Sequence, residues 1–182
     1  RDAPGRSCFC RAFADRNRYV ADDRFAEVPT RGLIDPGYLA GRSKLIHEHK
    51  AMGKAEAGVL QGIKVAYADD PVDEMAGTSH IAVVDKEGNA VSMTTTIETH
   101  FGSHVMVRGF FLNNQLTDFN FLPVADGVRT ANGVYPGKRP RSSMAPTLVF
   151  DSSDKFHMAV GSPGGSYIIG FVAKTLIAAL DW

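Results

Sequence analysis

Thr78 follows Gly77 directly and opens the run "TSHIAVV", where loop-like sequence gives way to strand-like sequence. A threonine hydroxyl is a weak nucleophile until a nearby base removes its proton. The amine of the same residue can be that base once the peptide bond before it is cut. One residue then carries both nucleophile and base. The design needs an accessible segment ahead of the threonine and a rigid strand behind it. Gly77 permits a strained turn at the bond to be cut, and the acidic run before it supplies access. Threonine is also an ordinary strand former, so the dipeptide alone carries the bland meaning as well.

Four other groups bear on the same chemistry. Thr94, Thr95 and Thr96 close the next strand-like piece, and alternation puts Thr94 and Thr96 on one face with Thr95 on the other. A hairpin returns Thr96 beside Thr78, where its hydroxyl can orient the nucleophile; a polar strand surface is the alternative. In "LNNQLTDF", Gln115 and Asp118 stand three apart and can accept hydrogen bonds from an ammonium, the acid balancing its charge. An Asn/Asp-rich turn explains the same letters. In "KRPRSSMAPT", Ser142 and Ser143 follow three cations and can hold a carboxylate, or simply form a turn. "AVGSPGGSYII" reads as strand, glycine turn and helix. Backbone N–H groups at such a helix start attract an anion or an acyl-transfer oxyanion. It is no P-loop, since no Gly-Lys-Ser/Thr follows. His47 and His49 fall on different sides of a helix, which rejects a metal pair, and His80 and His100 read as structural.

The elements that must position these groups change character along the chain. The first part is helical: "RAFADRNRYVADD" spaces Phe13, Tyr19 and Val20 among charges, and "DPGYLAGRSKLIHEHKAMG" opens with an Asp-Pro helix start. Leu39, Ile46 and Met52 are expected on its buried side. Residues 65–77, acidic and containing Pro71, read as a linker. From Thr78 onward "SHIAVVD", "KEGN" and "AVSMTTT" form a hairpin pattern with Gly88-Asn89 in the turn. "HVMVRG" and "FFLNN" are further strand pieces, and "APTLVFD" with "KFHMAVG" is a second hairpin around "SSD". Residues 119–138 read as one long irregular stretch of the kind that is functional or mobile. The final run places Ile168, Ile169, Val172, Ala173, Leu176, Ile177 and Leu180 on one helical face. Strands grouped together with helices outside predict an α+β fold with antiparallel sheets.

The composition narrows the functional classes. Among 182 residues, 20 cations balance 20 anions and 44% are hydrophobic. That balance argues against a nucleic-acid or membrane-surface partner. No apolar run is long enough to span a bilayer. Cys8 and Cys10 are too few for a structural zinc site and too close for an unstrained bridge. The chain opens on Arg1 with no leader pattern and stops at Trp182 straight after a helix pattern, so both ends read as cut.

Taken together, "TSHIAVVDKEGNAVSMTTTIETHFGS", "LNNQLTDF", "GKRPRSSMAPT" and "GSPGG", in that order, closely resemble the γ-glutamyltransferase family (γ-glutamyltranspeptidase, glutathione hydrolase). The resemblance runs from Thr78 to Trp182, with weaker signals in "YADDPVDEM" and the helices before it. It implies an N-terminal-nucleophile hydrolase fold, an αββα sandwich of which this chain holds part. It implies a precursor cut between Gly77 and Thr78. Residues 1–77 then end the large subunit with its acidic linker, and residues 78–182 begin the small catalytic subunit.

By the same resemblance Thr78 attacks the γ-glutamyl carbonyl of glutathione or a related compound, and the acyl group passes to water or to an amino acid or dipeptide acceptor. Thr96 matches the threonine that steadies the nucleophile, and Gly164 and Gly165 match the oxyanion-hole glycines. Glu98, Gln115 and Asp118 match residues around the substrate amine. Ser142 and Ser143 match those that bind its carboxylate. No metal or organic cofactor is implied. The partner is the protein's own large subunit, and a periplasmic or extracellular setting is expected. Ser79 stands where a second threonine is common, and Glu98 where some members have Asn. The arginine that pairs with the substrate carboxylate belongs upstream of this sequence, and residues 119–138 lie where members carry or lose a lid. Two other readings share some of these residues: a cephalosporin or glutaryl acylase of the same fold, and a non-catalytic domain that binds an anion at "GSPGG".

Overall fold

The computed structural model describes residues 4–47, 49, 53–63, 66–70 and 77–181. The elements run α1 (Pro4–Tyr19), α2 (Thr30–Leu33), α3 (Pro36–Ser43), β1 (Thr78–Val84), β2 (Ala90–Thr96), β3 (Met106–Val107) and β4 (Phe110–Phe111). A 3₁₀ turn (Gln115–Asp118) follows, then β5 (Val124–Ala125), β6 (Val128–Arg129), β7 (Thr147–Phe150), β8 (Phe156–Val160), a second 3₁₀ turn (Gly165–Tyr167) and α4 (Ile168–Leu180). Among the described residues every strand pair is antiparallel, in four two-stranded sheets. The chain divides into two compact units, Arg1–Val72 with Phe119–Arg141, and Asp73–Asp118 with Ser142–Trp182.

In the first unit, buried carboxylates organise the helices. Asp15 on α1 accepts hydrogen bonds from Gly58 N at 2.7 Å, Arg42 at 3.0 Å and the Tyr38 hydroxyl at 2.8 Å. Burial, reinforced by Asp15, pushes the Tyr38 phenol well above its usual range. Asp35 caps α3 by accepting from Tyr38 N at 2.8 Å, with Pro36 in the first turn as the sequence predicts. The helix stops at Ser43, however, and Leu39 is 49% exposed, which corrects the expected apolar side of a longer helix. Met52 lies outside the described residues. The expected linker needs correcting too. Asp70 is completely buried, with Arg141 at 3.3 Å and the Asn132 amide donating to it at 3.1 Å. Ala68 N donates to Arg129 O at 2.9 Å. Counter-charge thus draws part of the acidic run inside; residues 71–76 lie outside the described residues. The 119–138 stretch is also less irregular than its letters suggest, because Asp126 and Gly127, both at positive φ, turn β5 into β6.

Asp22 is held by several hydrogen bonds in this unit. It accepts from Arg24 at 3.0 and 2.8 Å, from Arg24 N at 3.2 Å and from Arg139 N at 2.9 Å. The Arg24 guanidinium first, then the Arg139 amide, hold its carboxyl far below the usual carboxylate range. A depressed folded-state value means stability that is present above the ordinary Asp range near ~4 and lost as pH falls through and below it. In the full-length protein, Asp22→Asn is therefore expected to lower the melting temperature at pH 7 and to flatten its fall between about pH 4 and pH 2. Melting curves across that range check this; an unchanged acid slope would contradict the assignment.

In the second unit, the β1–β2 register pairs Thr78 with Thr96, His80 with Thr94, Ala82 with Ser92 and Val84 with Ala90. The turn fixes that register: Asp85 accepts from Asn89 N at 2.8 Å and Asn89 Nδ2 at 2.7 Å, while Gly88 takes φ +88°. Along each strand the better-covered positions include Thr78, His80, Ser92, Thr94 and Thr96, so the protected face is rich in hydroxyls. Ile81, Val83, Val91 and Met93 lie on the more exposed face. Ser92 joins the two long hairpins, donating to Val160 O at 3.2 Å and accepting from Thr147 N at 3.1 Å. After β8 the chain turns through glycines into α4, which buries Ile168 and Val172 but leaves Ile177 and Leu180 exposed.

Candidate active site

The open end of the β1–β2 hairpin is where side chains converge. Thr96 stands opposite Thr78. Its hydroxyl donates to the Gly77 carbonyl at 3.4 Å and accepts from Glu98 N at 2.8 Å. Thr96 therefore touches the carbonyl of the very peptide bond that precedes Thr78. Glu98 forms a corner at φ +74°, unusual for a residue with a side chain, and is 3% exposed. The main chain at this corner crosses so close to Gly77 that a Cβ there would stand 1.7 Å from Glu98 O. Gly77 is thus required by a close backbone approach at the junction, more than by any φ of its own.

The Gln115–Asp118 turn supplies the next wall. Gln115 Nε2 donates to Asp118 at 3.4 Å, while Gln115 Oε1 is enclosed and finds no hydrogen-bond partner among the described residues. A buried acceptor with spare capacity, beside two carboxylates from Glu98 and Asp118, suits an ammonium group. Ser142 follows on the chain entering β7, its hydroxyl accepting from Met144 N at 3.2 Å. Thr78, Thr96, Glu98, Gln115, Asp118, Ser142 and Gly165 together line one small cavity of about 20 Å³, closed by Met144 and Ile168. Ser143 is buried beside it in sequence but does not line it.

The glycine turn forms the far side. Gly164 takes φ +135° and Gly165 φ +55°, conformations that side chains disfavour, and Tyr167 N donates to Gly164 O at 3.1 Å. Gly165 reaches the cavity and Gly164 does not. The turn rests on β1: the His80 ring, bonded through Nδ1 to the Thr94 hydroxyl at 2.9 Å, lies where a Cβ on Gly161 would be, 2.1 Å from Cε1. The histidine read as structural thus props the turn that carries Gly165. A larger cavity of about 520 Å³ lies in the first unit among Arg24, Phe25, Tyr67, Arg129, Tyr135 and Lys138. Pro123, Arg129, Tyr135 and Lys138 of the 119–138 stretch line it, but none of the candidate catalytic or substrate-binding residues does. No cluster able to hold a metal ion occurs among the described residues.

Sequence reasoning undervalued Asn114. It donates to the Glu98 carboxylate and accepts from Thr99 N at 3.1 Å. The two adjacent asparagines were visible, but not which of them turns inward.

The profile of the gamma-glutamyltranspeptidase family matches residues 8–182. The chain belongs to this family. The glutathione hydrolase proenzyme of Bacillus subtilis (strain 168) is 41% identical over 179 residues, covering 94% of this chain and 30% of its own length. The chain therefore spans under a third of that relative. A mutant gamma-glutamyltranspeptidase of Helicobacter pylori superposes with a TM-score of 0.50 at 41% identity, over 56% of this chain and 58% of that one. Cephalosporin acylase from Bacillus halodurans, at 21% identity, covers 96% of this chain and 29% of its own with a TM-score of 0.66, a likeness of fold. The family member described here has the α+β fold of the N-terminal-nucleophile hydrolases, present in part.

Proposed function

We propose that the full-length protein is a self-processing γ-glutamyltransferase and glutathione hydrolase with Thr78 as nucleophile. The observation that carries this reading is the contact of Thr96 with the Gly77 carbonyl, at the strand end where Thr78 shares a cavity with Glu98, Gln115, Asp118, Ser142 and Gly165. In the precursor, Thr78 Oγ attacks the Gly77 carbonyl and the C–N bond breaks, leaving an ester. Breaking the C–N bond frees the Thr78 amine, and water then hydrolyses the ester, giving a Gly77 carboxylate and the Thr78 hydroxyl. The large subunit ends at residue 77 and stays as the partner of the small one.

In the cut enzyme the Thr78 amine takes the hydroxyl proton as Oγ attacks the γ-glutamyl carbonyl. By family resemblance the oxyanion is met by N–H groups at Gly164 and Gly165, of which Gly165 lines the cavity. The proton passes to the leaving amine, which for glutathione is cysteinylglycine. Water or the amine of an amino acid or dipeptide then attacks the γ-glutamyl ester and regenerates Thr78. Glu98, Gln115 and Asp118 take the substrate's α-ammonium, and Ser142, joined by Ser143 on family resemblance alone, its α-carboxylate. No cofactor enters any step.

Two measurements test this in the full-length protein. Mass spectrometry is expected to find a subunit that begins at Thr78. Turnover of a γ-glutamyl anilide is expected to exceed that of the glutaryl anilide at least about tenfold, since only the former carries the ammonium. A glutaryl preference would make the protein an acylase, and a chain that stays uncut and inactive would leave a non-catalytic anion-binding domain.

A further inference from the structure

We propose that Asn114 is a positioning residue of this site, holding the Glu98 corner over the Gly77–Thr78 junction; the inference rests on the γ-glutamyltransferase reading above. Asn114 binds three consecutive residues through three different groups. Its backbone N donates to Ile97 O at 3.3 Å. Its Nδ2 donates to the Glu98 carboxylate. Its Oδ1 accepts from Thr99 N and from the Thr99 hydroxyl, both at 3.1 Å. Thr99 in turn donates its hydroxyl to Gly102 O at 2.8 Å.

The corner held in this way is one the backbone does not favour. Glu98 sits at φ +74° with its side chain buried. A side-chain-bearing residue stays in that region only where its surroundings over-determine it. Three groups meet there. The Glu98 N–H supports Thr96 Oγ1, the Glu98 carbonyl crosses Gly77, and Glu98 lines the cavity with its carboxylate held by Asn114. Asn114 lies outside the cavity lining and acts through Glu98 and Thr99. Of its two side-chain ends, only the amide nitrogen serves Glu98. That end also fixes which way the carboxylate faces.

Asn114→Asp separates the two ends. It keeps an acceptor for Thr99 but sets a carboxylate oxygen against the Glu98 carboxylate. In the full-length protein, the KM for a γ-glutamyl anilide is expected to rise about tenfold or more, as for loss of a hydrogen bond to a charged group, with a smaller fall in kcat. Adding Glu98→Gln restores a donor facing an acceptor with the polarity reversed. The double variant is therefore expected to return to within about threefold of Glu98→Gln alone, the margin left by ordinary non-additivity. An active wild type with unchanged KM in Asn114→Asp overturns the inference and leaves the function standing. So does a double variant whose KM stays about tenfold or more above that of Glu98→Gln alone, or a melting transition lost in Asn114→Asp and not regained with Glu98→Gln. A wild type that neither cuts itself nor turns over the anilide overturns the function and the inference together.

Discussion

Replacing Thr78 by alanine in the full-length protein is expected to leave the chain in one piece and to cut γ-glutamyl turnover at least about a thousandfold. Both losses have one cause. The hydroxyl that would open the Gly77–Thr78 bond is the hydroxyl that would accept the γ-glutamyl group, and the amine that would activate it is released only by the first reaction. The surroundings remain in place without it: Thr96 still has Glu98 N as donor, and the hairpin still has its seven paired positions. Thr78→Ser is the informative companion, since it keeps hydroxyl and amine and is expected to cut itself and turn over at reduced rates. Gel analysis gives the first readout and anilide hydrolysis the second. A Thr78→Ala protein that cuts itself, or that keeps its activity, would overturn the mechanism.

Gly77→Ala is expected to slow self-cleavage about a hundredfold while sparing the turnover of whatever molecules are cut. The new Cβ would stand 1.7 Å from Glu98 O, 2.8 Å from Glu98 C and 3.4 Å from Thr99 Cα. All three are backbone atoms, so no side-chain rotation relieves the overlap. Residues 97 to 99 are each bonded to Asn114, so the corner has little room to withdraw. Overpacking of this kind costs roughly 1–3 kcal/mol, and its upper end is about a hundredfold in rate. Once the bond is broken, residue 77 is no longer joined to Thr78 and its methyl group has no claim on the mature site. A time course of precursor loss, with turnover scaled to the cut fraction, separates the two effects. Cleavage at the wild-type rate would show that the junction is not confined as described.

What could be read from the letters follows the range of the forces involved. The β1–β2 hairpin was legible because alternation and the Gly88-Asn89 turn are local signals, and they suffice to bring Thr96 opposite Thr78. The 147–160 hairpin was legible for the same reason. Asp35 and Pro36 announced the start of α3, but its end at Ser43 was hidden, since no terminator residue marks it. The burial of Asp70 is hidden in the acidic run because it depends on Arg141 and Asn132, over sixty residues away. Glu98 entered through family resemblance alone; nothing nearby in sequence signals a left-handed corner without glycine. Asn114 carries no local signal in "LNNQLTDF", because its partners come within reach only once the 97–99 corner is folded against it.

The turn at residues 85–89 lies at the far end of the hairpin from the chemistry, about 20 Å away at the usual rise per residue. Its work is counting. Seven steps along each strand separate it from the Thr78–Thr96 pair, and a slip of one step would set Thr78 against a residue of opposite facing. Over evolutionary time, Lys86 and Glu87, both exposed and carrying only a mutual 3.5 Å contact among the ion pairs described, are free to drift. The number of residues between the strands is not. Descendants of this sequence should vary in the composition of that turn and agree in its length, as a ruler can be repainted but not trimmed.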